Sequence, residues 1–376
     1  MRIHGLAVLL ATFTLAAPLP ASAARPGTLI AATPVTDTPS GTQAWRIRYW
    51  TTSDRGVAKP VTGMVVAPRE AIPASPRRVI AWTHGTWGVA QRCAPSLSAN
   101  FWKATAALDA VPQGYVLVAP DYAGLGSAGM HPFLVGEDTA RAVLDGVRAA
   151  GQIPGAAAGK RYAVWGESQG GHAALWTAQR SRGYAPDLTL VGAAAAAPPT
   201  DLIENLRATA NPALRSFFTA YIGTSWAQHY GAPLSSFGNR TTQGIMTRLA
   251  RNNCVELDMK PKLGMVLGIG ALSGRLKTID LGRIEPWASL ARRNSPSRTG
   301  FGVPLLIAQN PKDDLVAPAV TRAYVKGLCR ARNRVRWIDI IGEGHATSAK
   351  DSAAATLAWI GDRFAGTPAP SDCGKI

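Results

Sequence analysis

The segment RYAVWGESQGGHAAL, residues 161–175, decides the fold. An apolar run over 161–165 reads as a strand, residues 170–180 read as a helix, and Ser168 stands at the junction with Gly166, Gly170 and Gly171 around it. WGESQGG therefore matches GxSxG, the nucleophile elbow, in which a strained strand-to-helix turn projects a serine above a sheet. Glycines are expected at 166 and 170 because side chains there would collide with the neighbouring strand and helix. The hydroxyl would also lie at the positive end of the helix dipole. A serine serving only as a helix N-cap would not need three glycines beside it.

Working outward, residues 45–52 and 61–67 have the alternating or branched character of early antiparallel strands. Residues 77–83, 115–120, 188–197, 303–308 and 335–341 are short apolar runs that end in turns, as strands buried on both faces of a parallel sheet do. A helical pattern over 139–150 places Ala140, Val143, Leu144 and Val147 on one face. Strands alternating with helices predict a doubly wound α/β sheet, which binds ligands at the carboxyl ends of its strands. Over 201–298 the alternation stops, helical stretches such as 213–221 and 242–251 appear with Phe217, Phe218, Tyr221, Trp226, Tyr230 and Phe237 among them, and the sheet pattern then resumes. That stretch is expected to be an inserted helical cap.

Chain-wide features set the compartment. Arg2, an apolar run over 6–15, Pro18, Pro20 and Ala21-Ser22-Ala23 read as a secretory signal peptide cleaved after Ala23. The run is shorter than the roughly 18 residues a membrane anchor needs, so no transmembrane segment is expected in the mature form. Removing 23 of 376 residues leaves 353, a length that suits one α/β core (24–376) carrying an insertion. The four cysteines, Cys93, Cys254, Cys329 and Cys373, suggest two disulfides in an exported chain. Three pairings are open; Cys93 with Cys254 and Cys329 with Cys373 is preferred, because the second would tie the C-terminus to a late helix. The tail over 366–376 is otherwise expected to be loose. No CxxC spacing points to zinc. The formal charge of +17 is spread along the chain rather than gathered into an arginine run interleaved with aromatics, so no nucleic-acid partner is expected, and the charge reads as solvation and attraction to anionic surfaces.

A serine hydroxyl needs a base to become a nucleophile. His4 falls in the signal peptide, His172 in the first turn of the helix after Ser168, His84 in a glycine loop, and His131 and His229 in irregular or inserted segments. His345, in GEGHATSA after the last strand, remains as the general base. The imidazole must be oriented by a carboxylate, and PLLIAQNPKDDLVAP supplies Asp313, with Asp314 as the alternative. The order Ser, Asp, His is that of the α/β-hydrolases. Oxyanion donors are expected from the backbone N–H of Gln169 and, in THGT (83–86), from Thr86, with Gly85 as the other option. PDYAGLG, 120–126, lacks the basic and hydroxyl pair of a phosphate loop and reads as pocket wall.

HGT followed by RCAPS (92–96), PDYAGLG, GEDTARAVLDGVRAA (136–150), GESQGG, DDLV and GEGH together resemble the secretory lipase family of α/β-hydrolases. The resemblance implies a secreted lipase or esterase with Ser168, Asp313 and His345 as its triad, a helical cap over the acyl pocket, and the disulfide pairing preferred above. It implies an ester or lipid substrate, met in one reading at a lipid–water interface, and chemistry without metal or organic cofactor. An acyltransferase or peptidase on the same scaffold, and a catalytically inactive binding protein, are the alternatives. The chain departs from the family pattern at Asn310-Pro311-Lys312, where a glycine and small residues are expected before the acid.

Overall fold

The computed structural model describes residues 24–256 and 259–376; the expected signal segment lies outside the described residues. Nine strands form one sheet: β1 (Leu29–Val35), β2 (Thr42–Thr52), β3 (Ala58–Pro68), β4 (Arg77–Thr83), β5 (Val116–Pro120), β6 (Ala158–Glu167), β7 (Thr189–Ala196), β8 (Leu305–Gln309) and β9 (Val335–Asp339). Their spatial order is β1-β2-β3-β5-β4-β6-β7-β8-β9. The pairs from β1 through β3 to β5 are antiparallel, and every pair from β5 and β4 onward is parallel. The strand β1 was not foreseen in the sequence. It is an edge strand, largely exposed on both faces, so it carries no apolar alternation to read.

Successive residues of the central strands face opposite cores. Val79, Ala81, Val116, Val118, Tyr162 and Val164 enter one buried cluster, whereas Ile80, Trp82, Leu117, Ala163 and Trp165 enter the other. This period of two, with both faces covered, is why these segments read as unbroken apolar runs.

The helices follow in chain order. A single turn, α1 (Phe101–Ala104), precedes α2 (Gly136–Ala150) and α3 (Gln169–Tyr184). Five helices lie between β7 and β8: α4 (Leu202–Ala208), α5 (Pro212–Tyr230), α6 (Arg240–Asn252), α7 (Leu263–Leu276) and α8 (Trp287–Asn294). The chain ends with α9 (Pro318–Arg330), the short α10 (Ser348–Asp351) and α11 (Ala353–Ala365). Helices α2, α3 and α9 cover one face of the sheet and α11 the other. The five inserted helices build a third cluster with Val89 and Phe133 to Val135, loop residues beyond β4 and β5. Within it Trp226 stacks on Trp287 at 6.4 Å and Phe237 meets Trp287 edge-on at 4.7 Å.

Helix α5 is longer than its sequence pattern. Gly223-Thr224-Ser225 weakens helix propensity in the middle, but a Cβ at Gly223 would stand 2.8 Å from Met246 Cε of α6, so the glycine permits a close helix crossing. The C-terminal tail also differs from expectation. Asp372 N–H donates to Val335 O at 2.8 Å, and the Asp372 carboxylate accepts the Trp337 N–H and pairs with Arg336 at 3.0 Å. Tail residues therefore pin to the outer edge of β9, in addition to the bond between Cys329 and Cys373. The second disulfide joins Cys93 to Cys254.

Candidate active site

The strand order reverses beside β4. From β4 the chain crosses to β5 on one side, and β6 lies on the other, so the ends of β4 and β6 flank a topological switch point. Their register sets Thr83 beside Gly166. Ser168 follows β6 and 84–86 follow β4, so the two segments expected to carry chemistry emerge side by side.

Ser168 has φ +53° and ψ −123°, a backbone conformation rarely adopted outside glycine. Such strain persists only where the surroundings over-determine it, and here the glycines do so. A Cβ at Gly166 would lie 2.0 Å from Thr83 Oγ1, and one at Gly170 would lie 1.8 Å from Thr83 O. The turn is thus pressed against the end of β4, closed by Ser168 N–H donating to Ala196 O at 2.9 Å and by Thr83 Oγ1 donating to Gly170 O at 2.8 Å. As the first residue of α3, Gln169 has no intrahelical acceptor for its N–H.

Three side chains far apart in the chain meet at this turn. His345 Nε2 is 2.7 Å from Ser168 Oγ, and His345 Nδ1 is 2.8 Å from Asp313 Oδ2. A carboxylate only accepts, so Nδ1–H donates to Asp313 and the Nε2 lone pair is left to accept the serine hydroxyl. Asp313 is 6% exposed, while Asp314 faces solvent. The Asp313 carboxylate is further fixed by N–H donation from Leu315 (3.0 Å) and Val316 (2.8 Å) and by Gln309 Nε2 (3.0 Å). Asn310, part of the departure from the family pattern, braces both loops: its Oδ1 accepts the Lys312 N–H, and its Nδ2 donates to Gly342 O in the histidine loop at 3.1 Å.

Of the other described histidines, His84, His131 and His172 are buried and hydrogen-bonded. Burial pushes His84, His131 and His172 down to about 4, 3 and 4. His172 Nε2 bonds Asn294 O at 2.7 Å, and His84 stacks on Tyr122 of PDYAGLG at 4.1 Å. His131 has a position that sequence reasoning missed. Its Nδ1 donates to Ala123 O at 2.9 Å, so its Nε2 accepts from the Gln169 side chain at 2.7 Å and fixes the residue after the serine. Glu167 was missed as well. Burial pushes its carboxyl up to about 7, although the Ala349 N–H, which donates to it, and His345 both act to lower it.

Two apolar cavities open on Ser168. A narrow one of about 60 Å³ is lined by Thr86, Ser168 and Gln169 with Phe133, Leu202, Phe218, Ile222 and Val316. A wider one of about 390 Å³ includes Gly85, Thr86, Ser168 and His345, with Leu214, Phe217, Phe218, Met259, Met265 and Ile269 from the inserted segment. Thr86 thus borders both cavities, Gly85 only the wider.

A family profile described as secretory lipase matches residues 102–372. Lipase A of Moesziomyces aphidis is 32% identical over 168 residues, 42% of this chain and 35% of that protein. A Mycobacterium tuberculosis protein named "Probable inactive lipase MT1628" is 25% identical over 352 residues, 88% of this chain and 75% of that protein. The aligned part of this chain thus spans about a third of the first relative's length and three quarters of the second's. The crystal structure of Candida antarctica lipase A superposes with a TM-score of 0.74 at 21% identity, covering 93% of this chain and 85% of that one.

Proposed function

The chain belongs to the secretory lipase family of α/β-hydrolases, and from that premise we propose that it is an exported serine hydrolase that cleaves carboxylic esters with apolar acyl chains. The observation that carries the reading is the continuous path from Ser168 Oγ through His345 to Asp313, at 2.7 and 2.8 Å, opening on apolar cavities. In this reading Ser168 Oγ attacks the ester carbonyl carbon while His345 Nε2 takes the hydroxyl proton, and Asp313 stabilises the resulting imidazolium. The negative oxygen is held by the N–H groups of Gln169 and Thr86, each worth roughly 3 kcal/mol of barrier. His345 then gives its proton to the departing alcohol, leaving an acyl-serine. Water, deprotonated by His345, releases the acid and restores the hydroxyl.

The inserted helices supply most of the apolar wall of the wider cavity, which supports their role as a cap that selects the acyl chain. Hydrolysis of a p-nitrophenyl ester series tests both points. Ser168→Ala is expected to lose at least a thousandfold in kcat, and wild-type turnover by that variant would end the reading. A second reading, an inactive binding protein, is favoured by the name of one relative. Fluorophosphonate labelling separates the two: stoichiometric modification of Ser168 supports the enzyme, and a chain that is folded but unlabelled supports the binding protein.

A further inference from the structure

Outside the triad, one cluster of side chains has the donors and the spacing of a metal site. Asp54 lies in the turn between β2 and β3, Asp138 in the first turn of α2, and His229 in the last turn of the inserted helix α5. Both carboxylate side chains are 2% exposed and the imidazole is 11% exposed. His229 Nε2 stands 3.2 Å from Asp54 Oδ1 and 3.7 Å from Asp138 Oδ2, and one donor atom from each of the three residues falls within 4.8 Å of the others. Asp54 Oδ1 and His229 Nε2 are buried and face each other as an ion pair with no further hydrogen-bond partner among the described residues, and Asp138 Oδ1 beside them is buried without a hydrogen bond. Burying polar atoms with few partners is costly, and here three of them lie in one cluster.

We propose that Asp54, Asp138 and His229 bind a divalent transition-metal ion of the zinc type, which clips the inserted helices to the sheet domain. Zinc bonds of about 2.1 Å in tetrahedral geometry place neighbouring donors about 3.4 Å apart, and the two distances to His229 bracket that value. One imidazole with two carboxylates suits zinc, whereas magnesium and calcium favour all-oxygen sets. The neighbouring cations leave this point open. Arg293 approaches Asp54 Oδ2 at 3.4 Å and Lys59 approaches Asp138 Oδ1 at 3.8 Å, both on outer oxygens. The Asp54 N–H donates to Asp138 Oδ2 at 2.8 Å and orients it, as partners beyond the ligand shell do. The trio lies outside both cavities at Ser168, so the role is structural.

The test uses the full chain, stripped with a chelator and titrated with ZnCl2 by calorimetry, with thermal melts before and after. One equivalent bound, a raised Tm and a visible d–d spectrum on CoCl2 loading are expected. In His229→Ala and Asp54→Asn the affinity should fall at least tenfold, with metal-free hydrolysis of p-nitrophenyl butyrate unchanged. A wild-type chain that takes up no zinc, or variants that bind as tightly as wild type, would overturn the proposal. The cobalt spectrum of the wild-type chain decides it even if a variant does not fold.

Discussion

Glu167 sits one residue ahead of the nucleophile candidate, and its carboxyl is held neutral to a higher pH than is usual for a glutamate. Burial moves it from an ordinary 4.5 to about 7. Between those values the folded chain keeps a proton that the unfolded chain has lost, so stability falls as pH rises through the window, by up to about 1.4 kcal/mol per pH unit. Glu167→Gln keeps an oxygen to accept the Ala349 N–H and cannot ionise. It should therefore melt above wild type at pH 8 and converge with it near pH 4; an equal difference in Tm at both pH values would refute this. Gly170 is constrained by space rather than charge. With 1.8 Å available to a new Cβ against Thr83 O, Gly170→Ala must displace the turn, at a cost of about 1–3 kcal/mol or more, and should lose hydrolysis along with thermal stability.

The two disulfides act on elements of different reach. Cys93–Cys254 ties the segment after β4 to the stretch following α6, across a sequence separation of 161, while Cys329–Cys373 ties α9 to the tail across 44. Loop-closure entropy makes the first worth about 1 kcal/mol more than the second. The Cys93→Ser/Cys254→Ser pair should therefore lower the denaturation midpoint further than the Cys329→Ser/Cys373→Ser pair; the reverse order in a urea titration would contradict this. The elements differ just as much in how readily they are read. The parallel strands and the turns at 168 and 345 are legible because burial on both faces and tight backbone contact leave local signatures, apolar runs and glycines, whereas the acid at 313 is read only from its place after a strand. Edge strand β1 leaves none, and α5 is interrupted by a glycine whose reason, Met246 of another helix, is invisible locally. The contact of His131 with Gln169, the bracing of Asn310 on Gly342 and the meeting of Asp54, Asp138 and His229 depend on which loops the sheet brings together. No spacing in the chain records them.

At the scale of the whole molecule, charge and exposed apolar surface point the same way. On α7 Leu263 is 74% exposed, Val266 54% and Leu267 63%, while Met265 and Ile269 of the same helix line the wider cavity at Ser168. A helix apolar on its outer face as well as its inner one marks a contact surface. Among the described residues no helix is long and apolar enough to cross a membrane. The basic residues Lys260, Lys262, Arg275 and Lys277 flank or end the helix in a chain of net charge +17, which would favour an anionic lipid surface over a neutral one. Attraction of this kind weakens as salt shortens the Debye length from about 10 Å at 0.1 M to about 3 Å at 1 M. Adsorption to vesicles containing phosphatidylglycerol should therefore fall with added salt. The triple variant Leu263→Ser, Val266→Ser, Leu267→Ser should hydrolyse emulsified tributyrin several-fold more slowly than wild type while matching it on dissolved p-nitrophenyl acetate. Equal loss on both substrates would place α7 in the architecture of the cavity instead, and wild-type turnover that rises smoothly through the tributyrin solubility limit would remove the interface from the account.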